Sequence, residues 1–181
     1  MQELDTATLQ RAIKGDRHAF KTLYDLYAPF LWRVIFPMAG RDMTIARELV
    51  QDTFIKVHRS LRQFKGQSAF STWLYRIAYT TAMAHLRKPI NRYRFQPDID
   101  TIRGSDRTDE FDERQLAGRI LASLSADDRF LLVAREIDDI PFDDLAVITG
   151  QKSGALRTRL HRLKETIRQS YPQEQYAGSE A

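Results

Sequence analysis

The sequence predicts an all-α protein made of two small helical domains joined by a flexible linker. Apolar residues recur at helical spacing through most of the 181-residue chain, and no stretch alternates like a half-buried strand. Between positions 89 and 112 there are two prolines, a glycine, six acidic residues and few aliphatic ones, which is typical of a linker. The last helix alternates basic and apolar residues. We therefore expect a first domain at 1–88, the linker at 89–112, a second domain at 113–170 and a tail at 171–181.

Four helices are expected in the first domain, each from an apolar stripe at helical spacing. The first covers about 6–15, and the second begins at Asp16 and continues toward Pro37 and Gly40. The third begins near residue 42 and the fourth covers about 70–88. Asp42 or Thr44 caps the third helix, because Asp and Thr side chains accept from the free backbone N–H groups of a helix start. The segment 63–69, with Gly66 at its centre, is predicted to be a loop.

The second domain has the pattern of a helix-turn-helix. Two support helices are predicted at 115–124 and 126–137, and Pro141 suits the first turn of a short helix over 142–148. Gly150 permits the positive φ that ends this helix, and Ser153 is expected to cap the next one. The apolar side chains that hold this last helix on the core are Leu156, Leu160, Leu163 and Ile167.

The last helix is the strongest candidate for contact with DNA. Residues 152–168 contain six Lys/Arg against one acid, whereas residues 113–151 contain four against eight. A basic helix behind a short helix and a tight turn is how such domains read the major groove. The alternative is that this helix is only a solvated basic surface without a DNA-binding role. The residues expected to meet phosphates and base edges are Lys152, Ser153, Arg157, Thr158, Arg159, His161 and Arg162.

A second candidate surface lies at the end of the first domain. Residues 63–79 mix aromatic and basic side chains around a polar loop, a combination that suits stacking with single-stranded DNA. Lys56 adds a further basic side chain to this edge. The alternative is that Phe64, Phe70 and Trp73 are core residues. The candidate contacts are Arg59, Arg62, Phe64, Lys65, Gly66, Gln67, Ser68, Phe70, Ser71, Thr72, Trp73, Tyr75, Arg76 and Tyr79.

Composition excludes several other classes. The chain has no cysteine, so it has no disulfide or thiolate metal site, and its four histidines lack metal-ligand spacing. We expect no metal, no cofactor and no catalytic residues. No run approaches the roughly 18 apolar residues of a membrane span, and the first residues do not form a signal peptide, so we expect a cytoplasmic protein without membrane insertion. The net charge of +4 is compatible with a nucleic-acid partner.

Several motifs together resemble the extracytoplasmic-function (ECF) sigma factors of RNA polymerase, a two-domain class of the sigma-70 family. Their order around one linker makes the resemblance specific, and it extends over nearly the whole chain. The stretches that carry it are Gly15–Phe20 with Leu23 and Tyr24, Glu48–Val57, Phe64–Gly66 with Phe70–Ala78, and Thr158–Arg162.

The resemblance implies a transcription initiation factor that is not an enzyme. Residues 63–80 would recognise and melt the −10 promoter element, with Thr80 among the contacts, and the 152–164 helix would read the −35 element. The implied partners are promoter DNA and core RNA polymerase, through its β′ coiled coil and β flap, with an anti-sigma factor as inhibitor. The free protein is expected to be a monomer, and to be nucleoid-associated when bound to polymerase. The residues implied in docking are Arg47, Glu48, Gln51, Asp52 and Lys56.

The chain departs from the family pattern at three places. Thr80 and Ala84 stand where Asn and Asp are usual, and Leu163 stands where alanine is common. The third departure is Arg47, which replaces an acid in the cluster that helps to bind polymerase, and this change weakens docking. Phosphorylation of Thr44 or Thr53 by a Ser/Thr kinase would restore negative charge there.

Two other functions remain open from the sequence. A stand-alone helix-turn-helix regulator would bind its DNA site tightly without polymerase. A protein-interaction module, such as an anti-sigma-type adaptor, would not depend on the basic residues of the last helix for any DNA binding.

Overall fold

The computed structural model describes residues 3–88 and 109–171, and within these ranges every regular element is helical. A 3-10 turn, Leu61–Gln63, follows the third helix. The all-α expectation is confirmed. The helices are α1 Thr6–Ile13, α2 Arg17–Met38, α3 Met43–Ser60, α4 Phe70–Leu86, α5 Asp109–Ser123, α6 Ala126–Glu136, α7 Phe142–Thr149 and α8 Ser153–Ser170.

Aspartates cap the first three helices of the N-terminal unit, residues 3–88. The Asp16 carboxylate accepts from the backbone N–H groups of His18 and Ala19 at 2.8 and 3.1 Å. The Asp42 carboxylate accepts from the N–H groups of Thr44 and Ile45 at 2.8 and 3.0 Å, so Asp42 and not Thr44 is the cap of α3. Each bond satisfies a donor that the helix itself leaves unpaired.

Three expectations for the C-terminal unit, residues 109–171, need correction. Helix α5 begins at Asp109, so the last four residues of the predicted linker are helical, in keeping with the preference for acids at a helix start. Pro141 precedes α7 as its N-cap residue instead of lying in its first turn. Lys152 occupies the cap position of α8, and Ser153 is its first helical residue. The remaining linker, 89–108, and the tail beyond 171 lie outside the described residues.

Gly150 forms the turn between α7 and α8 as predicted. Its φ of 73° is left-handed, and its N–H donates to the carbonyl of Ala146 at 2.9 Å. A left-handed residue here ends α7 and redirects the chain, and glycine adopts it without steric cost. The core face of α8 is also confirmed, because Leu156, Leu160 and Leu163 are buried.

The two units pack against each other. Helix α2 of the N-terminal unit contacts α6, and α4 contacts α7. Their buried residues form one continuous apolar cluster, which includes Leu23 and Leu74 of the first unit and Phe130 and Leu145 of the second. Among the described helices, none has the length and apolar character needed to cross a bilayer.

Candidate nucleic-acid interface

Helix α8 presents a basic face to solvent. Because its three buried leucines turn one side to the core, the opposite side is free. Ser153 and Arg159 are half-buried at the edge of this face. The predicted contact residues that are exposed are Lys152, Arg157, Thr158, His161 and Arg162.

Arg157 lies beside an aromatic ring. Its guanidinium carbon is 5.2 Å from the ring centroid of Phe142, and that of Arg135 is 5.3 Å from the same ring. A cation held over an aromatic face loses part of its freedom, so this contact restrains Arg157 near the start of α8. The basic face is therefore partly ordered in the absence of DNA.

Arg159 pairs with an acid on another helix of the C-terminal unit, as Lys164 does with Glu136. Its Nε donates to Asp128 Oδ1 at 2.7 Å, and about a third of its side chain remains exposed. Asp128 lies in the first turn of α6. In this conformation Arg159 is therefore engaged inside the C-terminal unit, although the sequence predicts it to contact DNA.

The loop before α4 is the accessible part of the second candidate surface. Lys65, Gly66 and Gln67 are exposed, and Gly66 has a φ of 69° that favours glycine. Half-buried Phe64 and Trp73 lie beside the loop with ring centroids 5.3 Å apart. The remaining predicted contacts that are exposed or half-buried are Arg59, Arg62, Ser68, Arg76 and Thr80.

The other predicted contacts on α4 are covered, which corrects the expectation that they face solvent. Phe70 packs into the aromatic cluster with Phe64 and Trp73, so it is a core residue in this conformation. Ser71 donates a hydrogen bond to Glu3. The five covered residues are Phe70, Ser71, Thr72, Tyr75 and Tyr79.

The two tyrosines are covered by acids of the C-terminal unit. The Tyr75 hydroxyl donates to Asp138 Oδ2 at 2.8 Å, and the Tyr79 hydroxyl donates to Asp127 Oδ1 at 2.6 Å. Arg33 of α2 contacts the second oxygen of Asp138. Burial raises the pKa of both tyrosines well above the usual value near 10, and the adjacent carboxylates raise it further.

The predicted polymerase-binding residues of α3 share an exposed side. Arg47, Glu48, Gln51 and Asp52 are exposed, and Lys56, also exposed, reaches α4, where its Nζ donates to Thr81 Oγ1 at 3.0 Å. All five side chains are therefore accessible to a partner.

An apolar groove between α2 and α3 adjoins this surface. Trp32, Arg47 and Gln51 line it, together with Tyr24 and Ile55, which are 43% and 40% exposed. Exposed apolar side chains that share one groove are typical of protein contact sites.

Only one of the two candidate phosphorylation residues is accessible. Thr53 has no exposed surface, and its hydroxyl donates to the carbonyl of Leu49 at 2.7 Å. A kinase has no access to it in the folded chain, so the Thr53 hypothesis is wrong for this conformation. Thr44 is exposed in the first turn of α3.

Sequence reasoning missed four residues that join the two units: Arg33, Asp127, Arg129 and Asp138. Their partners are distant in the sequence, and nothing in their local patterns distinguishes them from ordinary surface charges. Within the described residues, no group of His, Cys, Asp and Glu side chains is arranged to hold a metal ion.

Comparison with known proteins agrees with this architecture. Residues 23–90 match the family model described as Sigma-70 region 2. The RNA polymerase sigma-H factor of Pseudomonas aeruginosa is 32% identical over 183 aligned residues, which cover 92% of this chain and 93% of the relative. The ECF RNA polymerase sigma-E factor of Escherichia coli K12 is 30% identical over 188 residues, with the same coverage of both chains.

Two solved structures have a similar fold. CnrH, in complex with the cytosolic domain of CnrY, aligns with a TM-score of 0.67 at 20% identity and covers 89% of this chain and 92% of its own. The sigma factor RpoE of Bartonella quintana, in complex with the anti-sigma factor NepR, aligns with a TM-score of 0.65 at 24% identity and covers 83% and 94%. Their likeness supports the helical fold of this chain.

Proposed function

The chain belongs to the extracytoplasmic-function branch of the sigma-70 family, and we propose that it reads promoters through two surfaces, one on each helical unit. It is an alternative sigma factor that directs transcription initiation by RNA polymerase, and it is not an enzyme. The relatives match more than nine-tenths of the chain, so a stand-alone helix-turn-helix regulator is not favoured.

The C-terminal unit is proposed to read the −35 element with α8. The observation that carries this proposal is the division of α8 into a buried leucine face and an exposed face with Arg157 and Arg162. Arginine binds the O6 and N7 atoms of guanine in the major groove and also pairs with phosphates. The left-handed Gly150 ends α7 two residues before α8 begins near Lys152, a short connection that supports a helix-turn-helix.

The N-terminal unit is proposed to recognise and melt the −10 element with residues 63–80. Lys65 and Gln67 of the exposed loop, together with Arg62 and Arg76, provide exposed cations and polar groups in the same segment as the half-buried ring of Trp73. Aromatic rings beside cations suit a strand whose bases leave the stack.

The exposed side of α3 is proposed to dock on the β′ coiled coil of core polymerase, while the C-terminal unit contacts the β flap. Glu48 and Asp52 supply negative charge there, and Tyr24 and Ile55 of the adjoining groove supply apolar area. An anti-sigma factor is a further proposed partner, since the structural neighbours are complexes. The free protein is proposed to be a cytoplasmic monomer that reaches the nucleoid with polymerase.

Thr44 is proposed as the residue through which a Ser/Thr kinase strengthens docking. It is exposed and lies three positions before Arg47, so both side chains lie on one side of α3. A phosphate adds nearly two negative charges, is favoured at a helix N-terminus and offsets Arg47.

Binding of the unmodified protein to core RNA polymerase tests the proposed function, with run-off transcription measured on the same samples. Promoter-dependent run-off product that requires the added protein is expected. Tight binding to a DNA site together with absence of both polymerase binding and run-off product would contradict the proposal and favour a stand-alone regulator. A higher polymerase affinity after kinase treatment, lost in Thr44→Val, tests the role of Thr44.

A further inference from the structure

Two arginines lie over one aromatic ring at the start of α7. Phe142 is the first residue of this helix and is half-buried. The guanidinium carbon of Arg135, near the end of α6, is 5.3 Å from the centroid of its ring, and that of Arg157 on α8 is 5.2 Å from the same point. A single ring thus contacts cations from two other helices, one of which is the basic helix proposed to read the −35 element.

The turn between α6 and α7 supports the ring. Arg135 Nη1 donates to the carbonyl of Ile140 at 3.4 Å, so this guanidinium is engaged within the turn. Ile140 is 7% exposed, and its N–H donates to the carbonyl of Ala134 at 2.9 Å. Pro141, which comes next, has a φ restricted by its own ring. Phe142 is therefore held from the side of α6 by contacts that do not depend on Arg157.

Arg157 is restrained by this ring, yet its N–H groups remain available. It is exposed, and in the part of the chain that the structure describes no carboxylate forms an ion pair with it. Arg159, by contrast, donates through Nε to Asp128 at 2.7 Å. An aromatic ring attracts a guanidinium through its π face and does not accept its N–H groups as a carboxylate does. Arg157 is therefore ordered near the start of α8 with its donors unoccupied.

Such restraint matters more for reading a base than for binding a phosphate. Arginine binds the O6 and N7 atoms of guanine with two N–H groups in one plane, which requires a single orientation of a long side chain. Fixing the rotatable bonds of that side chain on DNA costs conformational entropy, and the cost is lower where the protein already restrains it. Arg162 is also exposed, but no aromatic ring restrains it among the described residues. The two arginines therefore suit different contacts.

We infer that Phe142 is a positioning residue for promoter specificity, which holds Arg157 in place to read a guanine of the −35 element. This inference rests on the proposed function and deepens it, because it separates the arginine that reads a base from Arg162, which is assigned to a phosphate. Phe142 acts through Arg157. A cation–π contact at an exposed site corresponds to a factor of about two to five in an equilibrium constant, so loss of the ring should reduce discrimination between bases by that factor.

Four variants separate the ring from the stability of the helix that carries it. Phe142→Leu removes the ring and keeps an apolar side chain. Phe142→Met is a second ringless variant, since a flexible methionine fills irregular space well. Phe142→Tyr keeps the ring and should behave like the wild type. Ile148→Val is the control for stability, because it shortens a buried side chain of the same helix, 2% exposed, and leaves the ring in place. Thermal unfolding followed by circular dichroism identifies the variants that fold.

The experiment measures discrimination between bases at each position of the −35 element. A promoter fragment is selected from random-sequence DNA by the wild-type protein bound to core RNA polymerase, and single-base derivatives of its −35 element are made. For each variant holoenzyme, discrimination is the ratio of the affinities for the selected fragment and for a derivative. The slope of log affinity against log salt concentration is measured as well, because it reports phosphate contacts. Arg157→Ala, alone and combined with Phe142→Leu, completes a double-mutant cycle for the pair.

We expect Arg157→Ala to lower discrimination at one guanine position by about fivefold or more. Phe142→Leu and Phe142→Met should lower it at the same position by about two- to fivefold and leave the salt slope unchanged. In the absence of Arg157, Phe142→Leu should have no further effect. Phe142→Tyr and Ile148→Val should match the wild type, whereas Arg162→Ala should reduce the salt slope by about one.

Three results would overturn the positioning role while the selected fragment leaves the proposed function intact. They are wild-type discrimination in the folded ringless variants, the same loss in Phe142→Tyr or Ile148→Val as in Phe142→Leu, and a loss that persists without Arg157. Unchanged discrimination at every −35 position in Arg157→Ala would overturn it too. Failure of the wild-type holoenzyme to select any fragment would overturn the proposed function and this inference with it.

Discussion

The hydroxyl of Tyr75 donates to Asp138 across the boundary between the two helical units, at 2.8 Å. Tyr75 is 1% exposed, and the Asp138 side chain is fully covered, so water does not compete for this bond. A hydrogen bond to a buried charge contributes about 1.5–3 kcal/mol, more than a neutral one. Tyr75, which is among the residues proposed to contact the −10 element, therefore stabilises the packing of the two units in the free chain.

Alkaline pH should open the contact. Burial raises the pKa of Tyr75 and Tyr79 in the folded chain above the ordinary value of 10.0. Their contribution to stability is therefore complete below about pH 10 and is lost as the pH rises through the raised pKa. Phenolate absorbance should show both tyrosines ionising late, at a pH well above 10.

Tyr27 provides an internal reference for that titration. Burial within the N-terminal unit raises its pKa to about 12, so it should also ionise late, but independently of unit separation. Tyr75→Phe should remove one late-ionising group and leave Tyr27 unchanged. Ordinary titration of Tyr75 and Tyr79 near pH 10 in the folded protein would contradict the buried contacts.

The exposed arginines of α8 should carry DNA affinity in the polymerase-bound form. If Arg157 or Arg162 contacts guanine, its replacement by alanine should weaken the binding free energy by about 1–3 kcal/mol. If it contacts a phosphate, the replacement should reduce the slope of log affinity against log salt concentration by about one. Binding of holoenzyme to a selected promoter fragment across salt concentrations distinguishes the two. Arg168→Ala, exposed in the last turn of α8, is the control. Unchanged affinity and slope in both test variants would exclude α8 as the reading helix.

Local patterns were sufficient to predict most of the fold. Apolar spacing defines α2 to α4, and Gly150 marks the helix-turn-helix because its left-handed φ is a local property of glycine. Helix boundaries do not follow from local patterns alone: Asp42 and Thr44 are both good caps, and only the hydrogen bonds in the structure distinguish them.

Exposed site residues could be predicted from the sequence only where the apolar face of a helix determines which of its side chains reach solvent. Arg157 and Arg162 are exposed because the leucines of α8 fix its orientation. Tyr75 and Arg159 have the composition of nucleic-acid contacts, yet each is held by an acid far away in the sequence, Asp138 or Asp128. Such pairings depend on tertiary packing, which helical periodicity does not encode.

The two threonines near the altered cluster should respond differently to a negative charge. Thr53→Glu places a carboxylate where no solvent reaches, and it should lower the free energy of unfolding by more than about 4 kcal/mol. Thr44→Glu should leave stability nearly unchanged, because the site is exposed at a helix start. Thermal unfolding followed by circular dichroism measures both.

Thr53→Val is the matched control for the buried site. The valine keeps the shape of the side chain and loses only the hydrogen bond to the Leu49 carbonyl. The free energy of unfolding should therefore fall by about 1 kcal/mol. A stable, folded Thr53→Glu protein would show that this position is accessible after all, and would restore Thr53 as a candidate for phosphorylation.

Arg47→Glu should strengthen binding to core polymerase if the arginine weakens an acidic docking surface. The change adds two negative charges on the exposed side of α3 beside Glu48. We expect an affinity gain of about fivefold at low salt that shrinks as ionic strength rises, because exposed charges are screened within about 8 Å at physiological salt. Titration of the labelled protein with core polymerase at several salt concentrations measures it.

Arg17→Glu is the control for that experiment because it makes the same change of charge elsewhere. Arg17 is exposed at the start of α2, and the nearby Phe20 packs edge-on against His58 at the far end of α3, with 5.0 Å between ring centroids. Arg17→Glu therefore reports the effect of net charge alone. An equal gain in both variants would assign the effect to general electrostatics. A gain in polymerase affinity that occurs in Arg47→Glu alone would assign the effect to this position. If phosphorylation of Thr44 then gives no further gain in Arg47→Glu, Arg47 is the charge that phosphorylation offsets.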